Sequence, residues 1–297
     1  MKNAVLIVNE FLNTRKFNEI YEWLVKASEK QNINLKLYTN AQIMVSLPHH
    51  KDNKHPVFKD IAPEFILFWD KDVRLARYLE ISGYKVFNSS YGIQVCDDKS
   101  LTHLILQSNG IPMPETIIAP MTYDTIGYTN YEFLTEAMDT LGFPMIIKEC
   151  FGSFGQQVYL AKNQEELKSR VIEIGARPMI FQKFVKSSFG RDIRLNVVGD
   201  KVVASMYRYC DTGDFRANIT NGGKMKKYNP TKEQKELAVK TLKLLDLDFA
   251  GVDIMFGEQE EPILCEVNSN AHFKNIYDCT GINVADFIIE HIINQIK

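Results

Sequence analysis

The sequence predicts an α/β fold that becomes α+β in its C-terminal part, and three observations lead there. The first hundred residues alternate short apolar runs with segments of helical period, which is the order of a mostly parallel sheet. From residue 191 onward, strands follow one another through tight turns, as antiparallel strands do. With 297 residues, 45% hydrophobic and 24% charged, the chain can build more than one core.

Residues 5–8 read as a first buried strand. Residues 17–30 carry Phe17, Ile20, Tyr21, Leu24 and Val25 at helical spacing. Residues 33–38 alternate as a strand, 65–69 form a buried strand, 73–82 a helix and 85–88 a short strand. Asp97-Asp98-Lys99 opens a helix to about Asn109, with Gly110 just past its end. Pro112 and Pro114 force 111–116 to be extended, as a connection into a second unit. That unit, about 111–185, reads strand, helix, strand, glycine-rich loop, strand, helix, strand. Asn163 with Glu166, and Thr231 with Gln234, resemble capping boxes. Residues 191–198 and 201–209 make a hairpin through Gly199-Asp200. A helix over 231–246, a second hairpin and an amphipathic helix from about Asn283 complete the chain. The expected domains are 1–97, 98–185 and 186–297.

A formal net charge of −2 gives no sign of a nucleic-acid-binding surface. Five cysteines, at 96, 150, 210, 265 and 279, show no C-x-x-C spacing, which argues for a reducing compartment. The N-terminal apolar run is too short for a signal peptide, and no window approaches the length of a spanning helix. The expectation is a cytoplasmic protein with no membrane partner.

The most informative chemistry lies in the second hairpin, over 251–256 and 263–268. If Phe256 pairs with Ile263, Asp253 falls opposite Glu266, and Asn268 lies on the same face of its strand. Two like charges placed so are tolerable with a cation between them, and their oxygens suit Mg²⁺. Gly152-Ser153-Phe154-Gly155 joins two strands, and its backbone N–H groups could face a phosphate that Lys148 also reaches. Residues 181–185 end a strand that could offer backbone groups to an adenine edge. Arg191-Asp192-Ile193-Arg194 places Asp192 and Arg194 on one strand face. The loop from Gly213 to Gly223 holds Arg216 and Asn218, whose donors fit anions. Arg216 has no obvious carboxylate partner nearby in sequence, so its charge calls for an external anion. The six histidines show no metal-ligand spacing. His49-His50 reads as a solvated loop, and His272, four residues after Asn268, lies closer to the chemistry.

In this order, these stretches resemble the ATP-grasp superfamily, and most closely its ribosomal-modification (RimK-type) glutamate-ligase branch. The resemblance covers about 97–297. It implies an N-terminal Rossmann-like α/β domain, a small lid domain and a C-terminal mixed-sheet domain, with ATP held between the last two. It also implies amide formation through an acyl phosphate, with ATP and two Mg²⁺ or Mn²⁺ ions. By position, Lys99, Lys148 and the Gly152–Gly155 loop (Ser153 and Phe154 included) would hold phosphates. Gln182, Lys183, Phe184 and Val185 would hold the adenine edge, and Asp192 the ribose or nearby nucleotide groups. Arg194, Arg216 and Asn218 would be catalytic, and Asp253, Glu266 and Asn268 would ligate metal. The partners implied are an amino acid such as glutamate and a small-molecule or peptide acceptor with a free carboxylate; a homo-oligomer is compatible. One departure stands out. Where the family reads Ala-Ser-Pro-Gly after Glu-Val-Asn, this chain reads Ser269-Asn270-Ala271-His272-Phe273-Lys274, which leaves the ribosomal-protein acceptor open. The alternative functions are a D-alanine–D-alanine-like ligase and a nucleotide-binding protein without turnover.

Overall fold

The computed structural model describes residues 2–12, 14–47, 57–58, 60–152, 155–219 and 222–296. The expected solvated loop at His49-His50 therefore lies outside the described residues. The N-terminal strands are Lys2–Val8 (β1), Ile33–Thr39 (β2), Ile66–Trp69 (β3) and Val86–Phe87 (β4). They form a parallel sheet in the order β2-β1-β3-β4. Helices Arg15–Glu29 (α1) and Val73–Ile81 (α2) make the crossovers on its two faces. This explains the unbroken apolar run of β1. Ala4, Leu6 and Val8 pack toward α1, and Val5 and Ile7 pack toward α2, so both faces of the strand are buried.

Two helices follow, Ser90–Asp97 (α3) and Lys99–Ser108 (α4). The sequence reading missed α3, whose eight residues carry Gly92 and little helical period. That glycine is required, because a Cβ there would lie 2.7 Å from the carbonyl oxygen of Asp246. The start of α4 is as expected: Asp98 Oδ1 accepts from the backbone N–H groups of Ser100, at 2.9 Å, and Leu101.

The second unit contains Thr116–Ile118 (β5), Phe133–Leu141 (α5), Met145–Glu149 (β6), Val158–Ala161 (β7), Gln164–Ile174 (α6) and Met179–Lys183 (β8). Its antiparallel sheet runs β5-β8-β6-β7 over its own apolar core. The third comprises Arg191–Val198 (β9), Lys201–Tyr209 (β10), Lys224–Lys227 (β11), Lys232–Leu244 (α7), Phe249–Phe256 (β12), Pro262–Asn268 (β13), Lys274–Thr280 (α8) and Val284–Ile296 (α9). Its antiparallel sheet runs β11-β10-β9-β12-β13. Thr231 and Gln234 form the full capping box of α7. Asn163 caps α6, but Glu166 reaches the N–H of Lys162 instead of returning the bond to Asn163.

Packing crosses the expected boundaries. Val95, Cys96, Leu106 and Ile111, from α3, α4 and the stretch after them, share a core with β9, β12 and α7 and not with the lid. The α1 face of the N-terminal sheet is continuous with Met206, Phe249 and the buried side of α9. Trp69 stacks on Phe249, with ring centroids 5.5 Å apart. Beside them the fully buried Asn88 makes four hydrogen bonds, accepting from Asp248 and Phe249 N–H and donating to the Phe249 and Ser269 carbonyls.

Candidate active site

Asp253 does stand opposite Glu266, but by a route the sequence did not reveal. The observed register pairs Phe256 with Pro262, not with Ile263, and Met255 with Ile263. That slip alone would have moved Glu266 away from Asp253. A bulge that leaves Cys265 unpaired restores the alignment, so Asp253 pairs with Glu266 and Gly251 with Asn268.

Asp253 already has cations from the protein itself. Arg194 grips Asp253 with two hydrogen bonds, one of 2.5 Å from Nη2 to Oδ2. Arg208 Nη2 lies 3.0 Å from the same Oδ2, and Arg208 also donates two hydrogen bonds, of 2.6 and 2.7 Å, to Asp192. The result is a chain Arg194–Asp253–Arg208–Asp192. Burial pushes the Asp253 carboxyl up, but Arg194 and Arg208 outweigh it and hold Asp253 below the usual carboxylate range. Asp192 faces mainly Arg208, so burial prevails and its carboxyl is raised. Burial disfavours the Arg208 cation, yet the two carboxylates keep it charged. Arg208 was missed in the sequence. A plain hairpin register from Gly199-Asp200 puts Asp192 opposite Tyr207; a bulge at Val203 brings Arg208 there instead.

Glu266 is less enclosed, and its nearest cation is Lys99 at 4.0 Å. Lys99 opens α4 and donates weakly to the carbonyls of Cys150 and Gly152. Burial, with Lys148 nearby, lowers its pKa against the pull of Glu266. The buried Nδ2 of Asn268 has no hydrogen-bond partner. Turning that amide over would present its oxygen beside the two carboxylates. Among the described residues, no three His, Cys, Asp or Glu side chains converge. An ion here would complete its shell with Asn268, water and phosphate oxygens. The donor set fits Mg²⁺ and does not fit zinc.

Around this hairpin lie two cavities. The first, of about 110 Å³, is lined by Lys148, Gly155, Gln182, Lys183, Phe184, Val185, Asp192, Arg216 and Asp253. Lys148 is buried, and its ammonium enters no ion pair among the described residues. The Gln182 amide nitrogen is already engaged, lying 2.9 Å from Thr116 Oγ1 and 3.1 Å from His103 Nε2. Burial, Lys148 and Lys99 push His103 down to about 3, so it is neutral. Lys183 turns its ammonium outward to Glu115, leaving its backbone and the Phe184–Val185 edge at the cavity. The expectation for Arg216 is corrected. Its carboxylate partner is Asp214, two residues away, which accepts from the Arg216 side chain at 2.8 and 3.1 Å and from its backbone N–H. The loop turns back on itself, a geometry that linear spacing hid. Arg216 also donates to the Gly155 carbonyl at 3.0 Å, tying the two loops together. Gly155 adopts φ +70°, and a Cβ there would crowd the Asn218 carboxamide at 3.2 Å. Ser153 and Phe154 lie outside the described residues.

The second cavity, of about 380 Å³, opens on the other side of the hairpin. Asn268, Arg194 and Gly152 line it, together with Asn9, Lys16, Tyr21, Asp70, Lys71, Asn270 and His272. Burial pushes His272 down to about 4, and its Nε2 lies 2.9 Å from the Lys16 carbonyl. The two cavities share Lys99, Arg208, Asn218 and Glu266. Every described site residue from the sequence reading lines one cavity or both. The N-terminal contributors were not foreseen, because single Asn, Lys and Asp residues after strands carry no motif.

A family model described as the RimK-like ATP-grasp domain matches residues 96–292. The chain belongs to the RimK-like ATP-grasp family. It is 32% identical over 297 residues to an uncharacterised protein of Mycoplasma genitalium, covering 98% of this chain and 100% of that one. A probable alpha-L-glutamate ligase of Legionella pneumophila is 31% identical, covering 100% of this chain and 97% of that one. Human N-acetylaspartylglutamate synthase A is 30% identical over 75% of this chain, and the match spans 56% of that protein. In fold, the chain is similar to a RimK domain ATP-grasp protein of Sphaerobacter thermophilus, with a TM-score of 0.72 at 18% identity, covering 97% of this chain and 98% of that one. The D-alanine–D-alanine ligase of Bacillus anthracis complexed with ATP has the same TM-score at 17% identity, covering 99% and 98%.

Proposed function

We propose that this protein is an ATP-dependent carboxylate–amine ligase that joins an amino acid, glutamate by analogy with its relatives, to a small carboxylic acid. The observation that carries this reading is the meeting of two chemically different cavities. One ends in Lys148 and the apolar edge Phe184–Val185, as a nucleotide requires. The other is rich in amides and cations, as carboxylate substrates require. They meet at Lys99, Arg208, Asn218 and Glu266. A protein that only bound nucleotide has no use for the second cavity.

The residues take their roles from position. Lys148 and Lys99 neutralise the nucleotide phosphates. Asp253, Glu266 and Asn268 would hold two divalent cations, which supply charge neutralisation as the phosphoryl group moves. An acceptor carboxylate oxygen attacks the γ-phosphorus, the bond to ADP breaks, and an acyl phosphate forms. The amine of the incoming amino acid then attacks that acyl carbon. Phosphate leaves with the bonding pair, and the nitrogen gives up its proton. Arg194 and Arg216, with Asn218, lie where negative oxygen charge builds up in these steps. Each arginine must first leave an aspartate, Arg194 from Asp253 and Arg216 from Asp214. No helix among the described residues is long and apolar enough to cross a membrane; with five free thiols, this supports a cytoplasmic location.

The test is ADP release from Mg-ATP with glutamate and a panel of carboxylic acids, the products being weighed by mass spectrometry. A new amide whose formation matches ADP one for one is expected. ADP release indifferent to amino acid and acceptor would sink the reading.

A further inference from the structure

The second cavity has one carboxylate unlike the rest. Glu266 lies 4.0 Å from Lys99, and the other buried aspartates at the hairpin face Arg194 and Arg208. Asp70 is only 9% exposed and enters no ion pair among the described residues. Its oxygens accept from Asn9 Nδ2, at 3.2 Å each, and from the Lys71 backbone N–H at 2.8 Å. The Lys71 ammonium turns away to Asp97. A buried carboxylate with hydrogen bonds but no counter-charge is costly unless a ligand supplies the cation.

Its place in the fold is also that of a binding group. Asn9 follows β1 and Asp70 follows β3, and Val8 pairs with Trp69, so the two side chains stand side by side. In the order β2-β1-β3-β4 the chain leaves β1 in one direction and later returns on its other side. The switch point lies between β1 and β3, at the carboxyl ends of the strands, where open α/β sheets bind ligands. The segment that departs from the family pattern closes this spot from the other domain. Asn270 Nδ2 donates to the Asp70 carbonyl at 2.7 Å, and its buried Oδ1 has no hydrogen-bond partner.

We propose that Asp70, positioned by Asn9 and flanked by Asn270, binds a free ammonium group on the acceptor acid. The acceptor class is then a small aminocarboxylic acid, with Lys16 and Arg194 on the same cavity wall to receive its carboxylates. The ammonium cannot be that of the incoming amino acid, whose nitrogen must be uncharged and free to attack. This deepens the ligase reading and rests on it for the word acceptor, but the site itself can be tested without turnover.

Binding is measured by calorimetry on the full chain with Mg²⁺ and a non-hydrolysable ATP analogue. The probes are aspartate, glutamate and 2-aminoadipate against their N-acetyl derivatives. The free amines are expected to bind and the N-acetyl acids to bind at least about 10-fold more weakly. Asp70→Asn should weaken the free amines by about 10- to 100-fold, the range of one charge-assisted contact, and leave the nucleotide analogue unaffected. Asn9→Ser, which frees the carboxylate, should give a smaller loss and guards against a folding defect in the first variant. Equal binding of N-acetylated acids, full affinity in Asp70→Asn, or no binding by any probe would overturn the proposal. Binding as expected, with no ADP release in the turnover assay, would instead leave the ammonium site standing and remove the ligase reading.

Discussion

The two cavities differ in how they are made. The nucleotide side is assembled from one continuous stretch, 99–266; its buried aspartates are already matched to arginines, and Lys148 is the charge left for a phosphate. The acceptor side draws Asn9 and Asp70 from the N-terminal sheet and Asn270 from beyond β13, and it keeps an unmatched carboxylate. A site for a common ligand can be written as motifs and held rigid by its own ion pairs. A site for a particular acid is set by topology, and its charges are completed only by what it binds.

The largest effect should come at the junction. Glu266→Gln keeps the shape but removes a proposed metal ligand, so turnover should fall by about 10³-fold or more while the fold is retained. Near-wild-type activity with Mg-ATP would show that the hairpin does not hold the metal.

The next test separates matched from unmatched charge. Arg208→Ala strands Asp192 in the interior, leaves Asp253 to Arg194 alone, and should cost about 3–5 kcal/mol of stability in a urea melt. Asp70→Asn, which removes an unpaired buried charge, should lie within about 1 kcal/mol of wild type or above it. Its carboxyl is already held above the usual range by burial. Similar losses in the two variants would erase the distinction.

Arg216 probes the nucleotide side, where it ties two loops together. Arg216→Ala should lower kcat by roughly 10²–10³-fold with a smaller change in nucleotide affinity, and Arg216→Lys should recover only part of that loss. If nucleotide affinity collapsed and saturated kcat held, Arg216 would be a phosphate anchor and nothing more.

The smallest effect is a pH slope to which two neutral histidines contribute, His103 behind Gln182 and His272 on the wall of the second cavity. Burial, with lysines adding to it, holds His103 near 3, and burial holds His272 near 4, against an ordinary 6.5. Below about 6.5 the unfolded chain takes up protons that the folded chain refuses. Stability is therefore full above that pH and falls as pH drops, by up to about 1.4 kcal/mol per unit for each histidine. The fall should continue to about 4 for His272 and 3 for His103. Urea midpoints between pH 7.5 and 5 should decline, and His103→Gln should flatten part of the slope. A slope unchanged in His103→Gln would mean that His103 is not the buried neutral base described.

Much of the architecture was legible in the sequence, because the apolar runs or periods of β1, α1, β9, β10 and β12 are strong. What stayed hidden was geometry that breaks a period. The bulges at Cys265 and Val203 each shift a register by one, and one of them conceals Arg208 behind Tyr207. The turn that brings Asp214 onto Arg216 hid the partner of a predicted catalytic residue. The glycine loop, the lysines and the hairpin were readable because their chemistry tolerates few residue types. Asn9 and Asp70 were not, because only the strand order makes them neighbours.

The staple at Asn88 and the shared core around Trp69 and Phe249 bear on how such an enzyme could be recombined. Residues 1–97 look like a cassette that could be exchanged to bring in a new acceptor preference. Cut there, the cassette would leave behind the buried face of α9 and the segment that closes the ammonium site. The transplantable unit is discontinuous: 1–97 must travel with 269–296, into a recipient that keeps Asp248 and Phe249 beneath Asn88 and Trp69. A chimera that swaps both pieces should stay folded and take on the donor's acceptor preference, whereas one that swaps only the first should expose the face of α9 and aggregate.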